Sequence, residues 1–437
     1  MRVNGQFCPE SMPFPPFIFS SGRPCGMALG PAVTDVMEPT PTEPTPRPVI
    51  HRKGMQSSTR YAIAGVVLVI LLLVGGGFAL GWFKGPAKAA SGTCPSGQTI
   101  QGTGASLVTS VVSTWASAYA KTSANTVIYT PSGAGAGITA LTGPTTDFAA
   151  TDEPLNHSQS AQLGSPALTL PIVGGSVAII YNLPGISAAL NLSGADLAGI
   201  YLGSITSWND PAIASLNPGV SLPSNAIATV HRLDAAGTTY VLTDYLSAAS
   251  PSFKSTVGIG LQVSWPNLPT QAKAISGNSK LASYIGTTKF SVGYVDLGDA
   301  RAVSGIGIAA MLNPSQRYVV PTSADTESAI ATISKNTTFP TSAGDWNALD
   351  FTNSPGPADY PMSTLAFGFI FQAMDHGYQP SLDKGQAIRQ WFTYMVTTGQ
   401  ASASALYYAP LPSVIVSVDE AGLQTLTYNG NSLPACT

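Results

Sequence analysis

Beyond residue 97 the chain alternates between two hydrophobic periods. "QTIQGTGAS", Gln98 to Ser106, reads as a short strand entering a glycine turn. "LVTSVVSTWASAYAKT", Leu107 to Thr122, carries apolar residues at the three- and four-residue spacing of an amphipathic helix. The β-branched run "NTVIYTPSG" predicts a second strand, "AGITALTG" a second helix, "DFAATDEPL" a third strand and "LTLPIVGGSVAIIYNL" a long fourth one. Strands alternating with helices predict an α/β domain built on a parallel sheet.

Three glycine-rich turns feed helices in this pattern. They are "GTGAS" before Leu107, "SGAGAG" before Ile138, and "DAAGTT", Asp234 to Thr239, before "YVLTDYLSAA". Ligands of open α/β sheets bind beyond the carboxyl ends of the strands. A helix start offers unpaired N–H groups and the positive end of the macrodipole, so three converging starts would hold an anion. The second turn, within "PSGAGAGITAL", raises its own question. Small residues there either relieve a strained backbone or clear space for a ligand or another stretch of chain. It is not a dinucleotide fingerprint, because Ile138 stands where the third glycine would fall.

From Tyr61 to Phe83 an uncharged run, "YAIAGVVLVILLLVGGGFALGWF", has the length of a membrane-spanning helix. Arg47, Arg52, Lys53 and Arg60 precede it, and only Lys84 and Lys88 follow closely, which puts the N-terminus inside and the large C-terminal part outside. The alternative is a cleaved signal starting at Met55, with "AKA" at Ala87 to Ala89 as the cleavage site, but the apolar run is longer than a usual signal core. A lipoprotein fits less well, since "SGTC" before Cys94 lacks an aliphatic lipobox residue. The proline-rich "EPTPTEPTPRP" upstream cannot build a core and predicts a disordered tail. The domain organisation expected is a tail over 1–60 (absent if Met55 is the start), a membrane helix over 61–83, a linker over 84–93 and a folded domain over 94–437.

Cysteines divide two and two about the apolar run. Cys8 and Cys25 precede it as free cytoplasmic thiols. Cys94 and Cys436 stand at opposite ends of the external part, where an oxidising compartment and the closeness of domain termini predict a disulfide. Charged residues make up only 9% of the chain and the formal net charge is −3, with no Lys/Arg cluster, so a nucleic-acid partner is excluded. So low a charge, with Ser and Thr in its place, suits an acidic exterior. No GxSxG elbow, HExxH, phosphate loop or zinc-spaced Cys/His pair occurs outside the membrane run, and His51, His157, His231 and His376 are scattered. The chain therefore reads as a non-enzyme without metal or cofactor, and a phosphate-ester hydrolase lacks a nucleophile with a base beside it.

The turns, in this order, resemble those of the substrate-binding component of the high-affinity phosphate ABC importer. The likeness runs from Gln98 to Leu426, through "GTGASLVTSVVSTWASAY", "DFAATDEPL", "SVGYVDLGDA" and "YYAPLPSVIV". It is most specific in "LAGIYLGSITSWNDPAIASLNPGVSLPSNAIATVHRLDAAGTTYVLTDYL". The resemblance implies a two-lobed periplasmic-binding-protein-like fold of type II that clamps its ligand between lobes moving on a hinge. One lobe would hold about 94–172 and 360–437, the other about 173–359.

It also implies a site. Phosphate would meet Ser106 and the amide of Leu107, the turn at Ala134 and Gly135, and the turn at Ala236, Gly237 and Thr238. Asp152 would accept a hydrogen bond from a protonated phosphate, and as an acceptor-only carboxylate would disfavour sulfate. Arg232 would grip phosphate oxygens with its planar fork, oriented by Asp234. Two departures are visible: the family turns usually carry serine where this chain has Ala134 and Ala236. Either binding is weakened by the missing hydroxyls, or Ser132, Thr130, Thr239 or ordered water fills their place. The implied partners are phosphate or a related oxyanion, the permease subunits of an importer and the membrane, for a chain acting as a monomer. A sensory or binding module with altered ligand is the alternative.

Overall fold

A computed structural model describes residues 94–436 except Ser187 and Thr270. The proline-rich tail, the apolar run over 61–83 with its flanking linker, and Cys8 and Cys25 lie outside the described residues. Among the described residues no helix is long and apolar enough to cross a membrane.

Among the described residues nine strands form one sheet. They are β1 (Thr99–Gly104), β2 (Thr126–Thr130), β3 (Phe148–Thr151), β4 (Ala167–Tyr181), β5 (Ala228–Arg232), β6 (Lys273–Ile275), β7 (Ser291–Asp296), β8 (Gly307–Ile308) and β9 (Ser363–Phe371). Their order is β2-β1-β3-β9-β4-β7-β5-β6, with β8 beside β4. At one end β1 runs parallel to β2 and β3, and at the other β5 runs parallel to β6 and β7. The alternating pattern predicts a parallel sheet throughout; the structure departs from it in the middle. There β9 is antiparallel to β3 and β4, and β4 is antiparallel to β7. Length explains the departure. β4 is 15 residues long and buried almost throughout; it pairs with β9 up to Ser176 and with β7 from Val177, so one strand belongs to both halves.

The side chains of β4 sort into separate cores. Leu168, Leu170, Ile172 and Val173 enter a core with Val111, Val112, Trp115 and Tyr119, the buried stripe of helix α1 (Thr109–Ser123). Val177, Ile179 and Tyr181 enter a second core with Tyr201, Trp208, Val241 and Leu242. Ala178 and Ile180 face a third, with Leu281 and Ile285. The chain crosses back near β9, where Tyr360 and Met362 lie in the second core and Leu365 in the first. The first core also takes in Ile330, Trp346 and Phe351.

Helix α2 (Ala134–Thr142) follows β2, and α3 (Gly237–Ala249) follows β5. They begin two and three residues ahead of the expected apolar stretches, so Ala134, Gly135, Gly237 and Thr238 occupy first helical turns. Helix α4 (Asn278–Thr287) follows β6. Helix α5 (Leu382–Val396) is tied to the first half by Lys384, which pairs with buried Asp147 at 3.1 Å. Cys94 and Cys436 are joined in a disulfide, with Cα atoms 4.7 Å apart and 342 residues between them in sequence.

Candidate functional site

Where β3 and α2 meet the turn after β5, the chain supplies one guanidinium, two adjacent buried carboxyls and several helix starts. Arg232 ends β5 and is 4% exposed. Its Nε donates to Asp234 Oδ1 at 2.9 Å and its Nη2 to Asp234 Oδ2. Nη1 donates to Thr238 Oγ1 at 2.9 Å and to Asn278 Oδ1 at 2.5 Å. The backbone N–H of Arg232 donates to the Tyr294 hydroxyl at 3.0 Å. A guanidinium has five N–H groups. Four are therefore committed among the described residues, and the open two-pronged fork implied by the resemblance is instead one remaining Nη2 N–H, with the fork's other edge spent on Asp234. Burial pushes the Asp234 carboxyl up, but its bonds to Arg232, that positive charge and the backbone N–H groups of Asp234 and Gly277 hold it below the usual range.

Thr238 gains from the same arrangement. Because its oxygen accepts from Arg232, its O–H is left to donate to an anion. Asp152, 2% exposed, sits just past β3 with Oδ1 unpartnered among the described residues. Burial raises its carboxyl to about 7 against the pull of Arg232. Neighbouring Glu153 is buried with both oxygens unpartnered, and burial followed by the charge of Asp152 raises it well above the ordinary range. Asp152 packs directly on the start of α3: a Cβ at Gly237 would stand 2.2 Å from Asp152 Oδ2, so only glycine fits there.

The question posed by "SGAGAG" has a structural answer. A Cβ at Gly135 would lie 2.7 Å from that of Ala235, and the Gly135 N–H donates to the Ala235 carbonyl at 3.3 Å. A Cβ at Gly137 would meet Gly104 at 2.6 Å. The side chains are cleared for other stretches of chain, which bring the turns before α2 and α3 together.

Ser106 and Leu107 lie in the turn between β1 and α1. Ser106 does not cap α1, which starts at Thr109; the Leu107 carbonyl is held by the Tyr408 hydroxyl at 2.5 Å. Ala134 and Ala236 are both buried at helix starts without side-chain caps at the residue before α2 and α3. Two of the three hydroxyls that could replace theirs are engaged elsewhere: Ser132 Oγ bonds Thr103 at 2.7 Å, and Thr239 Oγ1 bonds Tyr294 at 2.8 Å. Asn278, Tyr294, Glu153 and Asp296 were beyond sequence reasoning as site residues. The only hints were that Tyr294 and Asp296 lie within "SVGYVDLGDA" and that Asn278 follows a glycine turn.

No group of three or more His, Cys, Asp or Glu side chains among the described residues is arranged to hold a metal ion. The cluster joins one fixed cation, donor groups at helix starts and a buried carboxyl raised to about 7, which is an arrangement for binding an oxyanion.

A family model described as a PBP superfamily domain matches residues 89–398. The phosphate-binding protein PstS of Pasteurella multocida is 36% identical over 332 residues, spanning 75% of this chain and 90% of that protein. PstS of Xylella fastidiosa is 35% identical over 328 residues, spanning 74% and 84% respectively. The solved structure of a human phosphate binding apolipoprotein has the same fold, with a TM-score of 0.60 at 18% identity over 77% of this chain and all of that one (100%). The chain belongs to the PBP superfamily and, within it, to the family of the phosphate-binding protein PstS.

Proposed function

We propose that this protein is a solute-binding protein that captures phosphate between its two lobes and delivers it to the permease of an ABC importer. It binds and does not catalyse. The observation that carries the reading is the buried Arg232, clamped by Asp234, with Thr238 left free to donate and the buried Asp152 carboxyl in the same cluster. The anion is held by Arg232, Thr238 and the amides of Leu107, Gly135 and Gly237, with Ser106 donating from the first turn. Gly135 must then exchange its bond to Ala235 for one to the ligand, which is an opening of the lobes. Ala134 and Ala236 flank the anion with no hydroxyl to offer.

The lobes in this reading are 94–172 with 360–437, and 173–359, with the stretch around Ile330 to Phe351 lending side chains to the first core. The chain acts as a monomer tethered outside the cell by the helix over 61–83. Deleting everything before Met55 should leave it in the membrane fraction; a soluble cytoplasmic product would remove the tether.

The loss of hydroxyls at Ala134 and Ala236 favours a second reading, a sensory or binding module of the same build with an altered ligand. Calorimetric titration of the external domain with phosphate, sulfate, arsenate and phosphite separates the two. Phosphate as the tightest ligand supports the importer component. Preference for another anion supports the second reading, and no heat with any of them ends the oxyanion assignment.

A further inference from the structure

We infer that Asn278 and Asp296 are positioning residues of the anion site, a buried support that fixes the direction in which Arg232 presents its last free N–H. The inference rests on Arg232 being the group that holds the anion.

Asn278 is fully buried (0% exposed) as the first residue of α4, and Asp296, 3% exposed, is the last residue of β7. The Asn278 amide bridges the Arg232 guanidinium and the Asp296 carboxyl. Its Oδ1 accepts from Arg232 Nη1 at 2.5 Å, and its Nδ2 donates to Asp296 Oδ2 at 2.9 Å. Only one orientation of the amide is chemically acceptable. Turned over, its NH2 would face a guanidinium that has no acceptor, and its oxygen would face a carboxyl oxygen. Asp296 is itself immobilised, because its Oδ1 accepts the Asp299 N–H at 2.9 Å and caps the short helix Leu297–Ala302.

The same segment grips the other half of the ion pair. The Gly277 N–H donates to Asp234 Oδ1 at 3.2 Å, so Gly277 and Asn278 hold Asp234 and Arg232 together. Thr238 and Asn278 occupy both N–H groups of Nη1, and Asp234 occupies Nε and one of Nη2. Without Asn278 the guanidinium would regain an unsatisfied N–H and lose its stop against rotation, while Asp296 Oδ2 would lose its donor. Both partners would be left buried and under-satisfied, which is the costly way to break a buried network.

The test is a phosphate titration of the intact external domain and its variants, with unfolding temperatures measured on each. Asn278→Ala should weaken phosphate binding by about tenfold or more, the size expected for a hydrogen bond to a charged group. In an Arg232→Lys background, which keeps the charge but has no fork to hold, the same change should cost less than about twofold, because residues acting through one another are not additive. Asp296→Asn should retain most of the affinity, since its amide oxygen still accepts from Asn278. Asn278→Asp, similar in shape if the alanine variant does not fold, should weaken phosphate by adding a negative charge beside the guanidinium. Equal losses in both backgrounds, or unchanged affinity in both Asn278 variants, would overturn the support role. A wild-type domain that binds no phosphate would instead overturn the functional reading, and this inference with it.

Discussion

The two halves of the candidate site are built on opposite plans. On the side of β5, four of the five N–H groups of Arg232 are bonded to partners from the turn after β5, α3 and α4, its backbone N–H is bonded to Tyr294 of β7, and its side chain is 1% exposed. On the side of β3, Asp152 and Glu153 are as deeply buried yet leave three carboxyl oxygens without partners among the described residues. A cation that cannot be neutralised is tolerable in a protein interior only when its charge and its N–H groups are met. A carboxyl has another course: it takes up a proton. The β5 side therefore carries permanent charge, and the β3 side carries a group whose donor or acceptor character follows pH. In the proposed function this divides attraction from discrimination.

Removing the permanent charge should have the largest effect. Arg232→Ala leaves Asp234 without its main partner and the site without a cation, and phosphate affinity should fall by about a hundredfold or more in calorimetric titration. A loss under tenfold would mean that the helix starts alone hold the anion and that the contrast between the lobes is unimportant.

Asp152→Asn acts on the discriminating side. An amide donates as well as accepts, so phosphate should weaken by about tenfold while sulfate binding strengthens. The wild type carries a weaker form of the same experiment. As pH falls through about 7, Asp152 gains a proton that it can donate, and sulfate binding should rise. Competition titrations at pH 8 and pH 5.5 would measure this, and a phosphate-to-sulfate ratio indifferent to both substitution and pH would take Asp152 out of the site.

Restoring hydroxyls tests whether the helix starts have been depleted. Because Ser132 and Thr239 are engaged with Thr103 and Tyr294, the pair Ala134→Ser and Ala236→Ser should tighten phosphate by about tenfold or more. Unchanged or weaker binding would mean that the turns have been rebuilt around alanine.

The smallest effect concerns the ligand-free fold. The carboxyls of Asp152, Glu153, Asp296 and Asp419 are raised, in each case by burial before any other cause. A raised carboxyl holds a proton in the native state that the unfolded chain has released. Its stability is thus full below the ordinary carboxylate range near pH 4 and is lost as pH rises toward the folded value, about 7 for Asp152. Unfolding temperature without ligand should rise by about 5 °C between pH 7.5 and pH 5. A fall over that range would contradict the protonated carboxyls and the expectation of an acidic exterior.

What the sequence determined by itself was local. Hydrophobic period placed β1 to β4 and α1 to α3, glycine turns marked the helix starts, and the family resemblance pointed to Arg232 with Asp234 beside it. These follow from forces acting over a few residues: side-chain periodicity, φ freedom and caps. The tertiary structure decided the antiparallel centre of the sheet, because a 15-residue strand could serve both halves only by pairing with β9 along one part and β7 along the other. It decided that Gly135 was cleared for Ala235, a contact between turns about a hundred residues apart in sequence. It also decided how the guanidinium is held, since Asn278 and Tyr294 reach Arg232 across 46 and 62 residues. A buried polar group must find partners wherever the fold brings them, and sequence neighbours carry no record of that choice.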